Sequence, residues 1–145
     1  MVTKEQWMRE AESASNHYLN LNDGGFDEQM KAYFSSCNFE EKSITYGFPT
    51  QNWQINERGG IHGGAIAGMF DTAFGITANF IAGKNEAATV DMAISFLRGL
   101  EIGDTCEIKV ITVKAGRSMI RLRAEMTCNE SGKLIASGTG SWMPL

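Results

Sequence analysis

An α+β architecture, one long apolar helix cradled by an antiparallel sheet, follows from three features of the 145-residue chain. The segment 59–83 is apolar almost throughout, too long for a strand and too uniform for an ordinary surface helix. Downstream of it, runs around 90–96, 106–110 and 120–126 alternate apolar with polar residues, the period-two signature of strands covered on one face. Turn-forming stretches at 99–104, 114–117 and 129–133 separate those runs.

The elements can be taken in chain order. Thr3 and Gln6 have capping-box spacing, and Trp7, Ala11, Ala14, Tyr18 and Leu21 recur at helical intervals until Asn22-Asp23-Gly24-Gly25. A second short helix is expected from Asp27 to Phe34, so residues 1–35 read as an N-terminal helical arm on a single domain whose core is 36–145. Ile44, Tyr46 and Phe48 alternate with Ser43, Thr45 and Gly47 in a strand ending at Pro49, and Trp53 and Ile55 suggest a short extended piece. After the apolar segment, Val90, Met92, Ile94 and Phe96 alternate with Thr89, Asp91, Ala93 and Ser95. Cys106, Ile108 and Val110 form the next strand, followed by Ile120, Leu122, Ala124 and Met126. Leu134 to Trp142 makes a last strand, weakened by Gly138 and Gly140.

A transmembrane reading of 59–83 competes on length alone. Asp71 would then sit near mid-bilayer, at roughly 2.5–3.5 kcal/mol, and Gly63, Gly64, Gly68 and Gly75 would weaken an unsupported helix. A helix wrapped by a sheet accounts for both halves of the chain, so no membrane association is expected. The net charge of −4 with scattered cations argues against a nucleic-acid face. Cys37, Cys106 and Cys128, with only His17 and His62 beside them, make neither a disulfide framework nor a metal set. No apolar signal core precedes the first helix, and a cytoplasmic location with free thiols is the expectation.

Chemistry concentrates at the start of the apolar segment. Gly59, Gly60, Gly63 and Gly64 surround His62, and a helix opening on Gly63-Gly64 offers unpaired backbone N–H groups at its positive end. Such an end can hold a polarised carbonyl or a developing oxyanion, and the missing side chains at Gly63 and Gly64 let a ligand approach the backbone closely. Asp71 is the only charged residue between Arg58 and Lys84, an expensive placement unless the carboxylate is bonded or used. A lone His62 more often caps a helix, the glycines also suit packing, and Asp71 also suits a structural acceptor; their order and spacing together carry the functional reading.

Asn56-x-x-Gly59-x-Ile61-His62-Gly63-Gly64, with Asp71 nine residues after His62, resembles the PaaI-type thioesterases of the hotdog-fold superfamily. The resemblance continues through Asp71-x-Ala73-x-Gly75, Thr89-Val90-Asp91-Met92, Phe96-Leu97-Arg98, Gly116-Arg117 and Gly132-Lys133-Leu134-Ile135-Ala136. It implies a long helix wrapped by an antiparallel sheet and hydrolysis of an acyl thioester. It further implies that the Gly63 N–H polarises the carbonyl, Asn56 helps orient it, and Asp71 acts as general base or nucleophile. Thr89 would position water, and His62 would be a supporting hydrogen-bonding residue. No cofactor is expected beyond coenzyme A as part of the substrate. Its phosphates need local positive charge, for which Arg98, Lys114 and Arg117 are candidates. Met69, Phe70, Phe74 and Met92 are candidates for an acyl pocket, though core packing explains them equally well. Alternatives are a hotdog hydratase or dehydratase and a non-catalytic acyl-thioester-binding protein.

Gly63 and Asp71 lie eight residues apart, about 12 Å along one continuous helix. A carbonyl must sit about 3 Å from its donor with the attacking water equally near its base. One helix does not easily supply both, so self-association to a dimer or tetramer with a shared site is expected.

Overall fold

A computed structural model of the protein describes all residues, 1–145. The order is α1 (Lys4–Leu19), α2 (Phe26–Met30), β1 (Tyr33–Asn38), β2 (Ser43–Pro49), α3 (Gly63–Ala82), β3 (Ala87–Phe96), β4 (Thr105–Ala115), β5 (Ile120–Cys128) and β6 (Leu134–Pro144). The strands form one antiparallel sheet ordered β1-β2-β4-β5-β6-β3, and α3 packs against β2 through β6. Expected strands therefore form, in a sheet of six.

The composition of α3 follows from being covered twice. Ile66, Met69, Phe70, Ala73 and Phe74 are buried toward the sheet, where Phe74 lies 4.8 Å from the Trp142 ring and 5.9 Å from Phe70. The arm covers part of the other side. Trp7 of α1 meets Phe80 edge-on at 5.7 Å. Gly68 lies under α2, where a Cβ would come within 2.6 Å of the Phe26 ring and 2.8 Å of Met30 Cε. Between these covers a narrow stripe stays open, with Gly64 and Asp71 exposed on it. The carboxylate thus avoids the burial cost that an all-round buried helix would impose.

Gly138 and Gly140 do more than weaken the last strand. A Cβ at Gly138 would come within 2.5 Å of Ile94 and 3.4 Å of Phe70, and one at Gly140 within 2.5 Å of the Trp142 ring. They leave the space that the helix and the indole occupy.

Three local expectations are corrected. The second helix stops at Met30, because Lys31 adopts a left-handed φ of 55°, and β1 begins at Tyr33 instead of helix continuing to Phe34. A register shift between Phe34 and Ser36 places the half-buried Phe34 and Cys37 three residues apart, which erases the period-two signal. Trp53 lies in a single 3₁₀ turn, Asn52–Gln54, and only Ile55 pairs, with Ile61. Finally, the alternation expected for β3 breaks at Val90: Thr89 pairs with Trp142 but Asp91 with Ser141. That bulge puts Thr89 on the helix-facing side with Met92, instead of opposite it.

Thr3 caps α1, its Oγ1 accepting from Gln6 N at 3.1 Å, while the Gln6 side chain turns to Glu10 instead of closing the box. All three cysteines are free.

Candidate active site

The turn leading into α3 is built by Asn56. Its Oδ1 accepts from Arg58 N at 2.8 Å and Gly60 N at 3.2 Å, and Gly59 supplies the positive φ of 87° that closes the turn. Ile61 N then donates to Leu100 O and His62 N to Gln54 O, which fixes where the helix starts. His62 is the N-cap: its Nδ1 accepts from Gly64 N at 2.7 Å. A Cβ on Gly64 would lie 2.9 Å from that nitrogen, so the cap needs glycine there. Ala65 N and Ile66 N both reach His62 O. Of the amides at the helix start, Gly63 N–H alone has no protein acceptor.

That amide opens on a cleft of ≈ 650 Å³ lined by Asn56, Arg58, Gly60, Gly63, Ile66, Phe96 and Arg98, among others. The Phe96 ring stands 3.6 Å from where a Gly63 Cβ would be. Arg98 is exposed and donates to Leu134 O at 3.2 Å. Arg58 was not singled out from the sequence, since it reads there as part of a turn; it faces the same cleft beside Glu57, at 2.7 Å.

Asp71 lies eight residues along the same unbroken helix, about 12 Å from Gly63. Thr89 Oγ1 donates to Asp71 Oδ1 at 3.0 Å and accepts from the indole N–H of buried Trp142 at 3.0 Å. The hydroxyl proton is thereby directed at the carboxylate. No Lys or Arg pairs with Asp71, and its Oδ2 has no protein donor. The site residues therefore form two groups at opposite ends of β3. Asn56, His62, Gly63, Gly64 and Arg98 gather at the Phe96 end, and Asp71 and Thr89 at the other.

Other candidates fall outside both groups. Met69 and Phe74 are fully buried in the core cluster and do not line the cleft at Gly63; core packing, the alternative given for them, accounts for both. Phe70 is equally sealed. Lys114 and Arg117 are exposed at the β4–β5 turn, three strands or about 14 Å across the sheet from Thr89. Asp104, Cys128 and Glu130 bring three donor atoms close, but Glu130 already accepts from Thr105 N and Oγ1. Those bonds hold its carboxyl below the usual range.

A sequence model of the thioesterase superfamily matches residues 58–135. The Caenorhabditis elegans protein F42H10.6 is 30% identical over 88 residues, 61% of this chain and 52% of its own length, so the chain spans about half of that relative. Acyl-coenzyme A thioesterase 13 of Mus musculus is 28% identical over 114 residues, covering 79% of this chain and 81% of the relative. The PaaI protein from the phenylacetic acid degradation operon of E. coli superposes with a TM-score of 0.82 at 20% identity, over 96% of each chain. The chain belongs to the thioesterase superfamily and has the hotdog fold of its PaaI-type members.

Proposed function

We propose that the protein hydrolyses an acyl-CoA thioester at a site shared between two copies of the chain. The observation that carries this reading is the pairing of one unsatisfied helix-start amide, Gly63 N–H, with a carboxylate, Asp71, held too far along the same helix to act on the same carbonyl.

The edge of the sheet supports the assembly. β3 is an outermost strand of ten residues whose only charge is Asp91, and Val90 and Phe96 are each 53% exposed. A long apolar edge of this kind pairs with another strand unless it is blocked. Antiparallel pairing of β3 with its own copy, centred between Met92 and Ala93, sets Thr89 of one chain beside Phe96 of the other. Phe96 lines one cleft with Gly63 and Thr89 is hydrogen-bonded to Asp71, so the same symmetry sets each Gly63 beside the partner copy's carboxylate.

In that site the thioester oxygen accepts from Gly63 N–H, while Asn56, Arg58 and Arg98 line the cleft for the coenzyme A limb. Asp71 Oδ2 takes a proton from water as its oxygen bonds to the carbonyl carbon. The tetrahedral intermediate, its oxyanion on Gly63 N–H, collapses by breaking the C–S bond, and the proton passes to the departing thiolate. Products are the free acid and coenzyme A thiol. His62 stays a cap, its Nδ1 committed to Gly64, which disfavours the acid–histidine pair a hydratase needs.

An acyl-CoA panel with a free-thiol reagent tests this. Thiol release supports hydrolysis, binding without release means a non-catalytic binder, and water addition to an enoyl thioester means a hydratase.

A further inference from the structure

A second cleft flanks the start of α3 on the side away from the arginines. It measures ≈ 250 Å³, and its lining contains no Asp, Glu, Lys or Arg. Phe26 of α2, Trp53 and Ile55 line it together with His62, Gly64 and Ala65 at the start of α3. These three large apolar side chains are 56%, 54% and 47% exposed, yet converge on one hollow. Scattered apolar residues on a surface are ordinary, whereas a convergent set marks a contact site.

The walls are fixed to each other and to the helix. Thr72 Oγ1 donates to Asp27 Oδ1 at 2.6 Å, tying α2 down on α3. Gln51 Nε2 donates to Gln29 O at 2.7 Å, tying the turn that carries Trp53 to α2. Gly68 lets Phe26 lie directly on the helix.

We propose that this cleft receives the acyl group of the thioester, with Phe26 and Trp53 selecting its bulk; the inference rests on the thioesterase reading above. A carbonyl at Gly63 N–H sends its two substituents in different directions. The sulfur limb, which bears phosphates, faces the cleft with Arg58 and Arg98. The apolar substituent then has the uncharged hollow lined by Gly64, the next residue along. A dry cavity of about 150 Å³ holds a benzene ring, so this one takes a single aryl ring or a chain of about six carbons. Small acyl groups leave the walls untouched and gain nothing from them.

The test uses the full chain and two non-hydrolysable probes, the S-benzyl and S-methyl thioethers of coenzyme A, titrated by calorimetry. Wild type should bind the benzyl thioether about tenfold or more tightly than the methyl one. Phe26→Ala and Trp53→Ala, both at exposed positions, should each bring that ratio to within about threefold of unity. Ile55→Trp, which fills the hollow instead of emptying it, should lower the same ratio. Val113→Ala, removing an apolar side chain that is 56% exposed elsewhere on the sheet, should leave it at the wild-type value. An unchanged ratio in both truncations, or no preference in wild type, overturns the acyl cleft even if the protein hydrolyses acyl-CoAs. So does an unchanged ratio with a shifted oligomeric state on size exclusion, which would make the patch a chain–chain contact. The expected ratios with no thiol released from any acyl-CoA would instead leave the cleft standing and overturn hydrolysis.

Discussion

Thr89 stands between Trp142 and Asp71, accepting the buried indole N–H at 3.0 Å and donating its own proton to the carboxylate at 3.0 Å. Its single hydrogen is therefore committed, and the carboxylate oxygen left over faces solvent. Thr89→Val removes both bonds and leaves a buried indole N–H without an acceptor, which should destabilise the fold by about 1–3 kcal/mol. Thr89→Ser keeps both and should hold stability within about 0.5 kcal/mol of wild type. Thermal melts of the two variants check this, and equal melting temperatures would mean that the two bonds contribute nothing to stability.

Asp71 lies on the open stripe of α3, so Asp71→Asn should fold normally while kcat falls by roughly 10²–10⁴. A near-normal kcat in the folded variant would end the proposed mechanism. Single turnover in ¹⁸O-water with excess enzyme separates two roles for the carboxylate. Water attack places the label in the product acid, whereas label found in the Asp71 carboxyl would make it the nucleophile.

Most of the architecture was legible because it rests on periodicity. β4 alternates from Thr105 to Val110 and β5 from Ile120 to Met126, and α3 is longer than any strand. What the sequence hid lies where the period breaks. The shift inside β1 and the bulge at Val90 each add one residue, and that one residue decides which face Thr89 occupies. The motif around His62 located the helix start and the resemblance named the Gly63 N–H, but the physical reason that Gly63 and not Gly64 is the free amide is the cap bond to Gly64 N. Three of the four acyl candidates lay within α3, where Met69, Phe70 and Phe74 turn inward, whereas exposed apolar residues beside Gly64 come from α2 and the 3₁₀ turn. No pattern local to Phe26 or Trp53 points to α3, because their proximity to it is tertiary.

Burial pushes the Cys106 thiol up to about 12, with Cys128 facing it across the β4–β5 ladder. Only about one Cys106 in 10⁴ is then a thiolate at pH 8, since the population falls tenfold per pH unit below the pKa. Native protein should leave Cys106 unmodified by iodoacetamide at pH 8, and denatured protein should expose all three cysteines to it. Peptide mapping by mass spectrometry checks this. Activity should persist in a strong chelator and in reductant; loss with the chelator would mean a metal takes part.

The shared site makes the sharpest prediction. Gly63→Pro deletes the proposed oxyanion donor at the first position of α3, where proline is tolerated. His62 is extended there, with φ −62° and ψ 137°, as the residue before proline prefers. A Cβ at position 63 would come no closer than 3.6 Å to Phe96, an ordinary contact. Gly63→Pro and Asp71→Asn should each be nearly inactive alone, because every site in either homodimer lacks one group. In a mixed dimer one site collects both lesions, and the other receives an intact Gly63 from one chain and an intact Asp71 from its partner. Random and complete exchange makes half the dimers mixed, each with one working site of two, so activity should recover to about a quarter of wild type. Unfolding the two variants together and refolding them provides the measurement, with exchange shown independently by differently tagged chains. Exchange without recovery would mean that each chain holds a complete site or that Gly63 is not the donor. Recovery near a quarter would make the dimer the catalytic unit, since no isolated chain in that mixture carries both groups.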